Sequence, residues 1–390
     1  MVLAGILAPR RTDNSFRLQS DEAHHTGVTP LTELPIDLVR TFPIDYMHNG
    51  CLGVMRKLLH YWIGGPLKTR LQSYKVTEIS RRLENLKCHI PVEFNRKTRT
   101  LAELNRWKAT ELRTFLLYVG PIVLKDIVDI AVYEHFLLLH FGFNILLSKR
   151  HLTNLGSQLA KKVLDVFVKH STRIYGSEFS VYNVHMLTHL ADDADFYGPL
   201  DNISCFPFEN YLGQLKNLIK SPTKPLQQLC RRLTEINFSL SDSNFNNSVF
   251  EGPKFIHNSG PFPDFLFDFN KYTQFKKLYF DNFILSVNSY SDCDSYCLVT
   301  KSVVVQIHNV IVGLESSEIL IVGKKFSNST SLYVYPFESE HLDIYLVSNL
   351  SDHYQIWHSK DILAKCLVFP YKNVYASLPL IHSTSSTASL

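Results

Sequence analysis

The sequence lacks several patterns that are typical of common protein classes. Its seven cysteines include no Cys-x-x-Cys pair, so we expect reduced thiols in the cytosol or nucleus rather than a disulfide framework. It contains no Gly-rich phosphate loop and no Gly-x-Ser-x-Gly element, which argues against the nucleotide-binding and hydrolase folds built on them. The chain begins with the apolar segment MVLAGILA, and no basic residue lies ahead of it, so a secretory signal is not predicted.

Long uncharged apolar runs are also missing. The longest apolar segment, residues 127–147, contains Asp129, Glu134, His135 and His140, which predicts a buried helix rather than a membrane span. The composition is that of a globular chain, 45% hydrophobic and 19% charged, and this excludes a disordered or collagen-like protein. A length of 390 residues suffices for about two domains.

The net charge of +4 conceals an uneven distribution. Residues 1–240 carry 30 Lys and Arg against 22 Asp and Glu, whereas residues 241–390 carry 10 against 14. The first part is therefore basic and the second acidic. A basic part favours an acidic polymer such as nucleic acid as partner, although many solvated helical domains are mildly basic without one.

Hydrophobic periodicity divides the chain into a helical part and a β-rich part, so we predict an α+β fold. Apolar residues recur at intervals of three and four between residues 40 and 240, whereas the period is two from about 277 to 380. The strands are predicted at 301–305, 319–322, 332–335, 343–347 and 366–369. The predicted organisation is an irregular segment at 1–34, a helical domain at 35–240, a linker at 241–275, a β-rich domain at 276–380 and a disordered tail at 381–390.

Two pairs of residues have the spacing of metal ligands. Asp45 and His48 are three apart at a predicted helix start, and His185 and His189 are four apart, on one face of a helix predicted over 181–194. If the pairs meet, they supply four ligands for a tetrahedral structural Zn²⁺, whose binding free energy would add to folding. The alternative is that all four are polar residues satisfied between packed helices.

Glu209 lies in an aromatic segment, residues 206–212, in which Pro207 suits the first position of a helix. A carboxylate in the first turn is stabilised by the helix dipole, which would be a purely structural role. Aromatic surroundings would make ionisation costly unless a cation lies nearby, so Glu209 is also a candidate catalytic acid.

Four basic residues after Glu209 are candidates for contact with DNA. Lys216 and Lys220 are four apart and share a helix face, so together they can contact phosphates. Arg231 and Arg232 lie on the next predicted helix. A solvated basic face is the alternative interpretation.

Seven motifs, in their order along the chain, resemble the transposase-derived proteins of the CACTA (En/Spm-like) class. The resemblance extends from about residue 10 to residue 232, and more loosely through the β-rich part. The motifs are LPID (34–37), FPIDYMH (42–48), CLGVM (51–55), RWKATE (106–111), YNVH (182–185), HLADD (189–193) and FPFENYL (206–212).

The resemblance implies a catalytic domain similar to the RAG-type recombinase core, an RNase H-like fold with three acidic residues and a large helical insertion before the third. In that core an early pair and a later His pair form a zinc site, and the last catalytic Glu follows the His pair. Asp45 and His48 match the first pair, His185 and His189 the second, and Glu209 lies 20 residues after His189. The resemblance therefore implies a zinc site at these four residues and Glu209 as the third catalytic acid.

The family's first two catalytic aspartates and its Cys-rich segment precede the matched stretch, and Asp13 and Asp21 do not match their context. Strand cutting by this family needs three carboxylates that hold two Mg²⁺ ions. We therefore expect a C-terminal part of a DDE-type cut-and-paste DNA transposase that is inactive by itself. The alternative is a domesticated, non-enzymatic DNA-binding or protein-interaction protein.

Either function implies a nuclear protein, or a cytoplasmic one if the remnant is unused, and neither implies secretion. Retained DNA binding would be weak and salt-dependent. Homo-oligomers are compatible with both functions, and no membrane association is expected.

Overall fold

The computed structural model describes residues 10–22, 24–241, 252–263, 266 and 269–382. The chain is α+β, as predicted, and forms two compact units. The helical unit consists of Met1–Arg82 and Arg99–Ser204, and the barrel unit consists of Leu83–Thr98 and Cys205–Leu390. This division differs from the predicted one, because residues 83–98 and 205–240 group with the β-strands.

The α-helices begin within the segment that the sequence predicted to be irregular. Residues 13–17 form a short helix that Thr12 caps, and a 3₁₀ turn follows at Pro30–Glu33. The first ten α-helices of the described residues are α1 Asp13–Arg17, α2 Arg56–Gly64, α3 Ser73–Asn85, α4 Ala109–Thr114, α5 Gly120–Val123, α6 Ile130–Leu147, α7 Lys149–Leu155, α8 Ser157–Tyr175, α9 Tyr182–Met186 and α10 Leu190–Tyr197. The last residues of α3 belong to the barrel unit.

A π-helix, Met47–Met55, runs directly into α2. The sequence predicted one helix over 46–63, and the stretch is continuously helical, but its first half is wound more widely. Two glycines allow this part to pack closely: a Cβ at Gly50 would lie 2.4 Å from the ring of Phe143, and one at Gly53 would lie 2.6 Å from Nδ2 of Asn183. The π-helix is therefore held tightly against α6 and α9.

Helix α6 forms the centre of the helical unit. It is long and apolar enough to cross a bilayer, but 78% of it is buried within the fold, as expected for a core helix. Its His140 contacts a second π-helix, Phe115–Val119, through a 2.9 Å hydrogen bond between Nδ1 and the carbonyl of Leu116. In a π-helix the carbonyl of Leu116 would accept a hydrogen bond from the N–H of residue 121. That residue is Pro121, which has no N–H, so the buried His140 donates to the carbonyl instead.

The described β-strands of the barrel unit pair with one another in antiparallel fashion. They are β1 Gly252–His257, β2 Tyr272–Tyr279, β3 Ile284–Ser286, β4 Tyr296–Val299, β5 Val303–Gly313, β6 Ile319–Ser331, β7 Tyr345–Leu350, β8 Gln355–His358, β9 Ile362–Tyr371 and β10 Val374–Pro379. Six of them close on themselves in the order β5-β4-β9-β10-β7-β6, because β6 pairs with β5. The long strand β5 continues past this barrel to pair with β2, and β6 continues to pair with β8.

Several predicted boundaries in this part were wrong. The expected linker contains strand β1 and the beginning of β2. The residues of β1, GPKFIH, do not alternate between apolar and polar, so a period-two criterion does not detect this strand. The segment 332–335 is not a strand but a connection that ends in a cis Tyr335–Pro336 bond. The predicted tail begins with Ile381 and the buried His382, and residues 383–390 lie outside the described residues.

Two further helices belong to the barrel unit: α11 Phe206–Leu218 and α12 Pro225–Ser241. Gln228 fixes the turn between them by accepting the backbone N–H groups of Lys220 and Ser221 at 3.1 and 3.3 Å. No residue of α11 is buried. These helices and their connecting turn carry Glu209 and all four predicted DNA-contact residues.

Candidate metal and DNA-contact residues

Asp45 and His48 lie at the start of the first π-helix and contact each other. The carboxylate of Asp45 accepts backbone N–H groups of Met47 and His48 at 3.1 and 2.9 Å, as a helix-capping residue does. Its Oδ2 is also 2.6 Å from Nδ1 of His48. The side chain of His48 is 56% exposed and that of Asp45 14%.

This contact assigns different roles to the two residues. A carboxylate that accepts from Nδ1 holds the ring in the tautomer whose Nε2 carries a lone pair, and carboxylates commonly orient metal-binding histidines in this way. Nε2 of His48 is then the atom suited to a metal, and Asp45 orients it. The sequence predicted Asp45 as a direct ligand, and this stays a prediction; in the structure its oxygens also accept from the helix start and lie beside the imidazole of His48.

His185 and His189 are neighbours, although not for the predicted reason. Helix α9 ends at Met186 and α10 begins at Leu190, so the two histidines do not share one regular helix. A tight turn joins the helices, with Thr188 donating its hydroxyl to the carbonyl of His185 at 2.9 Å. The two rings still lie 5.4 Å apart between centroids.

Both imidazoles have properties suited to metal binding. Within the described part of the chain, the buried Nδ1 of His185 has no hydrogen-bond partner, and such an orphaned atom is costly unless a water or an ion occupies it. Burial, followed by the effects of His185 and Arg10, lowers the pKa of His189. A neutral imidazole is the form that binds a metal.

The segments that carry the two pairs pack directly against each other. The backbone N–H of Ile44 donates to Asp193 at 2.9 Å, and Nδ2 of Asn49 donates to the carbonyl of Asn183 at 2.9 Å. However, among the described residues neither His185 nor His189 belongs to a set of three or more potential ligand atoms within 4.8 Å of one another. The structure therefore brings the segments together without closing the four predicted ligands around one point.

The acidic run after His189 has a structural role. Asp193 holds Ile44, and Asp192 forms ion pairs with Arg10 at 2.7 Å and with Lys161 at 3.0 Å. These contacts fix the position of α10 against the residues that precede Asp45 and against α8. Protein cations therefore balance part of the negative charge of this acidic run.

A buried polar cluster beside the first pair was not predicted from the sequence. The hydroxyl of Tyr46, which is fully buried, donates to Asp201 at 2.6 Å, and Arg113 donates to the same hydroxyl at 3.4 Å. Burial, together with the nearby carboxylate of Asp201, raises the pKa of Tyr46 well above its usual range. The cluster joins three segments of the helical unit and fixes the start of the π-helix that carries His48.

Glu209 occupies the first turn of α11, as predicted, but it does not have the buried aromatic surroundings that the sequence suggested. The residue is exposed, and its neighbours Phe208 and Leu212 are themselves 68% and 56% exposed. Its backbone N–H donates to the carbonyl of Cys205 at 2.9 Å. Among the described residues, Glu209 does not belong to a group of three or more potential metal ligands.

The four basic residues are all exposed on α11, α12 and the turn between them. Lys216 lies near the end of α11, and Lys220 follows that helix. Arg231 and Arg232 both pair with Glu235, at 2.9 and 3.0 Å, so part of their charge is balanced within the helix. The lysines are therefore the stronger candidates for phosphate contact.

Comparison with known proteins finds a similarity in the β-rich part of the chain. Residues 256–380, which cover strands β2 to β10 and the end of β1, match the model of a domain of unknown function, DUF8592. No curated protein and no solved structure matches the chain.

Proposed function

We propose that this chain is a remnant of a CACTA-type cut-and-paste DNA transposase that binds DNA but does not cut it by itself. The single observation that carries the proposal is the ordered motif set, in which Asp45, His48, His185, His189 and Glu209 have the order and spacing of a RAG-like core. The packing of residue 44 on residue 193, and of residue 49 on residue 183, supports it.

The lack of cutting follows from the number of carboxylates. Two-metal strand cleavage needs several acidic ligands to hold both Mg²⁺ ions at a fixed separation. Of the three catalytic acids of the family, the residues of this sequence match one, Glu209, which is exposed at the start of α11. Glu209 would supply one metal ligand if the other two catalytic acids were provided. It cannot hold a pair of Mg²⁺ ions alone.

A structural zinc ion fits the donor set in part. His185 has an orphaned buried nitrogen, burial lowers the pKa of His189, and His48 is oriented by Asp45. When bound, zinc would link the π-helix at residue 47 to the α9–α10 turn and stabilise the helical unit. In this proposal the protein ligands are the three histidines, with Asp45 beside them.

DNA binding would be electrostatic and would be centred on α11 and α12. The test is a fluorescence anisotropy titration of the full chain with a labelled duplex at several salt concentrations. Replacing two phosphate contacts, in Lys216→Ala/Lys220→Ala, should reduce the slope of log binding constant against log salt by about 1.8. The matched control is Lys68→Ala/Lys360→Ala, which removes two exposed lysines elsewhere and should leave the slope unchanged.

Two results would contradict this DNA-binding proposal. The first is wild-type binding that is no tighter at low salt than at high salt. The second is an equal loss of slope in both double variants, which would place the contact outside α11.

A domesticated interaction protein is the second candidate function, and one observation favours it. Helices α11 and α12 carry large exposed apolar side chains, among them Phe208, Leu212 and Leu226, which are 68%, 56% and 75% exposed. Exposed apolar clusters of this kind often mark protein contacts. If self-association explains them, Phe208→Ser/Leu212→Ser should lower the sedimentation coefficient at high protein concentration without changing the salt slope of DNA binding.

A further inference from the structure

Lys365 is the most deeply buried charged side chain among the described residues. It lies on β9 with no exposed surface, and its Nζ is 2.7 Å from Oε2 of Glu93, 2.6 Å from Oδ1 of Asp294 and 2.7 Å from the carbonyl of Ile284. An ammonium group has three N–H donors and no acceptor. Each donor therefore has its own partner, and the charge is fully compensated.

The two carboxylates of this cluster come from different parts of the chain. Asp294 and Ile284 belong to the β-strand region, whereas Glu93 is 272 residues away from Lys365 in the sequence. Glu93 is part of Leu83–Thr98, which the sequence places between two helical segments and which groups with the barrel unit. The strands by themselves supply only part of the shell around Lys365.

Backbone contacts fix the segment in both directions. The N–H of Val92 donates to Oδ1 of Asp294 at 3.1 Å, and the N–H of Ile284 donates to Oε1 of Glu93 at 2.8 Å. Each carboxylate therefore bridges Lys365 and a backbone amide of the opposite segment. This reciprocal arrangement fixes the register of residues 92–94 on the barrel unit.

A second contact lies next to the first. The ring of Phe94 meets that of His382 edge to face, with centroids 5.0 Å apart, and the residues are 8% and 2% exposed. Lys97 closes the loop by donating to the carbonyls of Ile90 and Pro91. The segment thus presents an acidic and an aromatic side chain at consecutive positions.

We propose that the barrel unit binds residues 83–98 as an intramolecular peptide ligand. In this arrangement Lys365 binds the carboxylate of Glu93, and the ring of His382 packs against that of Phe94. The occupant is a peptide segment that carries Glu followed by an aromatic residue. The barrel unit then reaches its stable form only when this segment is in place. This inference is independent of the proposed DNA function.

The charge state of the cluster supports this proposal. Burial alone would raise the pKa of Asp294, but the charge and hydrogen bond of Lys365 outweigh it, and the pKa lies below its usual value. Without the Glu93 carboxylate, Asp294 still pairs with the ammonium, but one desolvated N–H of Lys365 loses its charged acceptor, and such a loss is costly in a buried site. Glu93 is therefore a specific partner and not an incidental neighbour.

The first experiment measures hydrogen exchange in the full chain. Glu93→Gln should accelerate exchange of the amides of β4, β9 and residues 83–98 by about tenfold or more, because one charge-assisted contact to Lys365 is lost. The matched control is Glu84→Gln, an exposed residue of the same segment, which should exchange as the wild type does. Unchanged exchange in Glu93→Gln, or equal acceleration in both variants, would overturn the proposal.

The second experiment supplies the segment in trans. In the full chain, residues 87–97 are replaced by a Gly/Ser linker of equal length, and a labelled peptide of residues 83–98 is titrated into it. The wild-type peptide should bind, and a peptide with the Glu93→Gln substitution should bind about tenfold weaker or worse. Lys365→Met in the linker chain should abolish the difference between the two peptides.

Two results of the titration would contradict the proposed recognition of Glu93 by Lys365. One is equal affinity for the wild-type and Glu93→Gln peptides, and the other is no binding by a linker chain whose circular dichroism equals that of the wild type. If the linker chain does not fold, the segment is required for folding as proposed, and the exchange data for Glu93→Gln decide whether Lys365 is the reason.

Discussion

We expect the helical unit to lose stability in mild acid, because His135 and His140 are buried in its core. Both side chains are buried, and burial lowers the pKa of each to about 4. A histidine in an unfolded chain titrates near about 6.5. Between these values the unfolded chain binds more protons than the folded chain, so the free energy of unfolding falls as the pH falls. Well above about pH 6.5 the two residues contribute no pH dependence.

The size of the effect follows from the two pKa values. Between pH 7.5 and pH 5, each histidine should lower the free energy of unfolding by about 2 kcal/mol, and the pair by about 4 kcal/mol. That is a large part of the roughly 5–15 kcal/mol by which a typical domain is stable. Most of the loss should be complete by about pH 4, where the buried rings also become protonated.

The assay is urea unfolding of the full chain, followed by tryptophan fluorescence, at pH 7.5 and pH 5. Trp62 reports on this core, because its ring lies 6.2 Å from that of Phe136. In His140→Gln the amide can still donate to the carbonyl of Leu116, and the difference between the two pH values should shrink by about 2 kcal/mol. The control His60→Gln replaces an exposed histidine of the same unit and should keep the wild-type difference.

This prediction would be refuted if His140→Gln lost as much stability on acidification as the wild type does. It would also be refuted if the wild type were equally stable at both pH values while Trp62 reported cooperative unfolding.

Two further predictions concern the first π-helix and the proposed zinc ion. Gly50→Ala should lower the free energy of unfolding in urea by about 1–3 kcal/mol, because the added Cβ would meet the ring of Phe143. In the control Gly213→Ala, the added Cβ has no atom within 4 Å. Equal stability of the two variants would contradict the close packing at Gly50. Metal analysis of the purified chain should find one zinc per chain, which His185→Ala/His189→Ala loses; a metal-free wild type that is fully folded would rule the zinc site out.

Local patterns in the sequence were sufficient for the fold class and for most helices. The apolar run at 127–147 predicted the buried helix α6, and the Pro207 position predicted the start of α11. Period-two segments predicted parts of β5, β6, β7 and β9, although with shorter bounds. These features depend on neighbours in sequence, which is why periodicity and turn residues reveal them.

Contacts between distant segments could not be predicted in this way. Nothing around Glu93 indicates that it meets Lys365, 272 residues later, and a lysine in a strand is ordinarily expected to be exposed. The contacts of Asp45 with the helix start could not be predicted either, because a carboxylate three residues before a histidine suits a metal ligand and a helix cap equally well. The close packing of the first π-helix at Gly50 and Gly53 also involves distant segments, which a 3.6-residue period does not detect.

The measurement that tests the central claim most directly is a strand-cleavage assay on the DNA that the chain binds. The purified full chain is incubated with supercoiled plasmid and Mg²⁺ at low salt, with binding followed in parallel by anisotropy. We predict salt-sensitive binding and no nicked product, because one matching carboxylate cannot hold two Mg²⁺ ions. A Mg²⁺-dependent nick made by the wild type and abolished in Glu209→Gln would contradict the proposed loss of cutting.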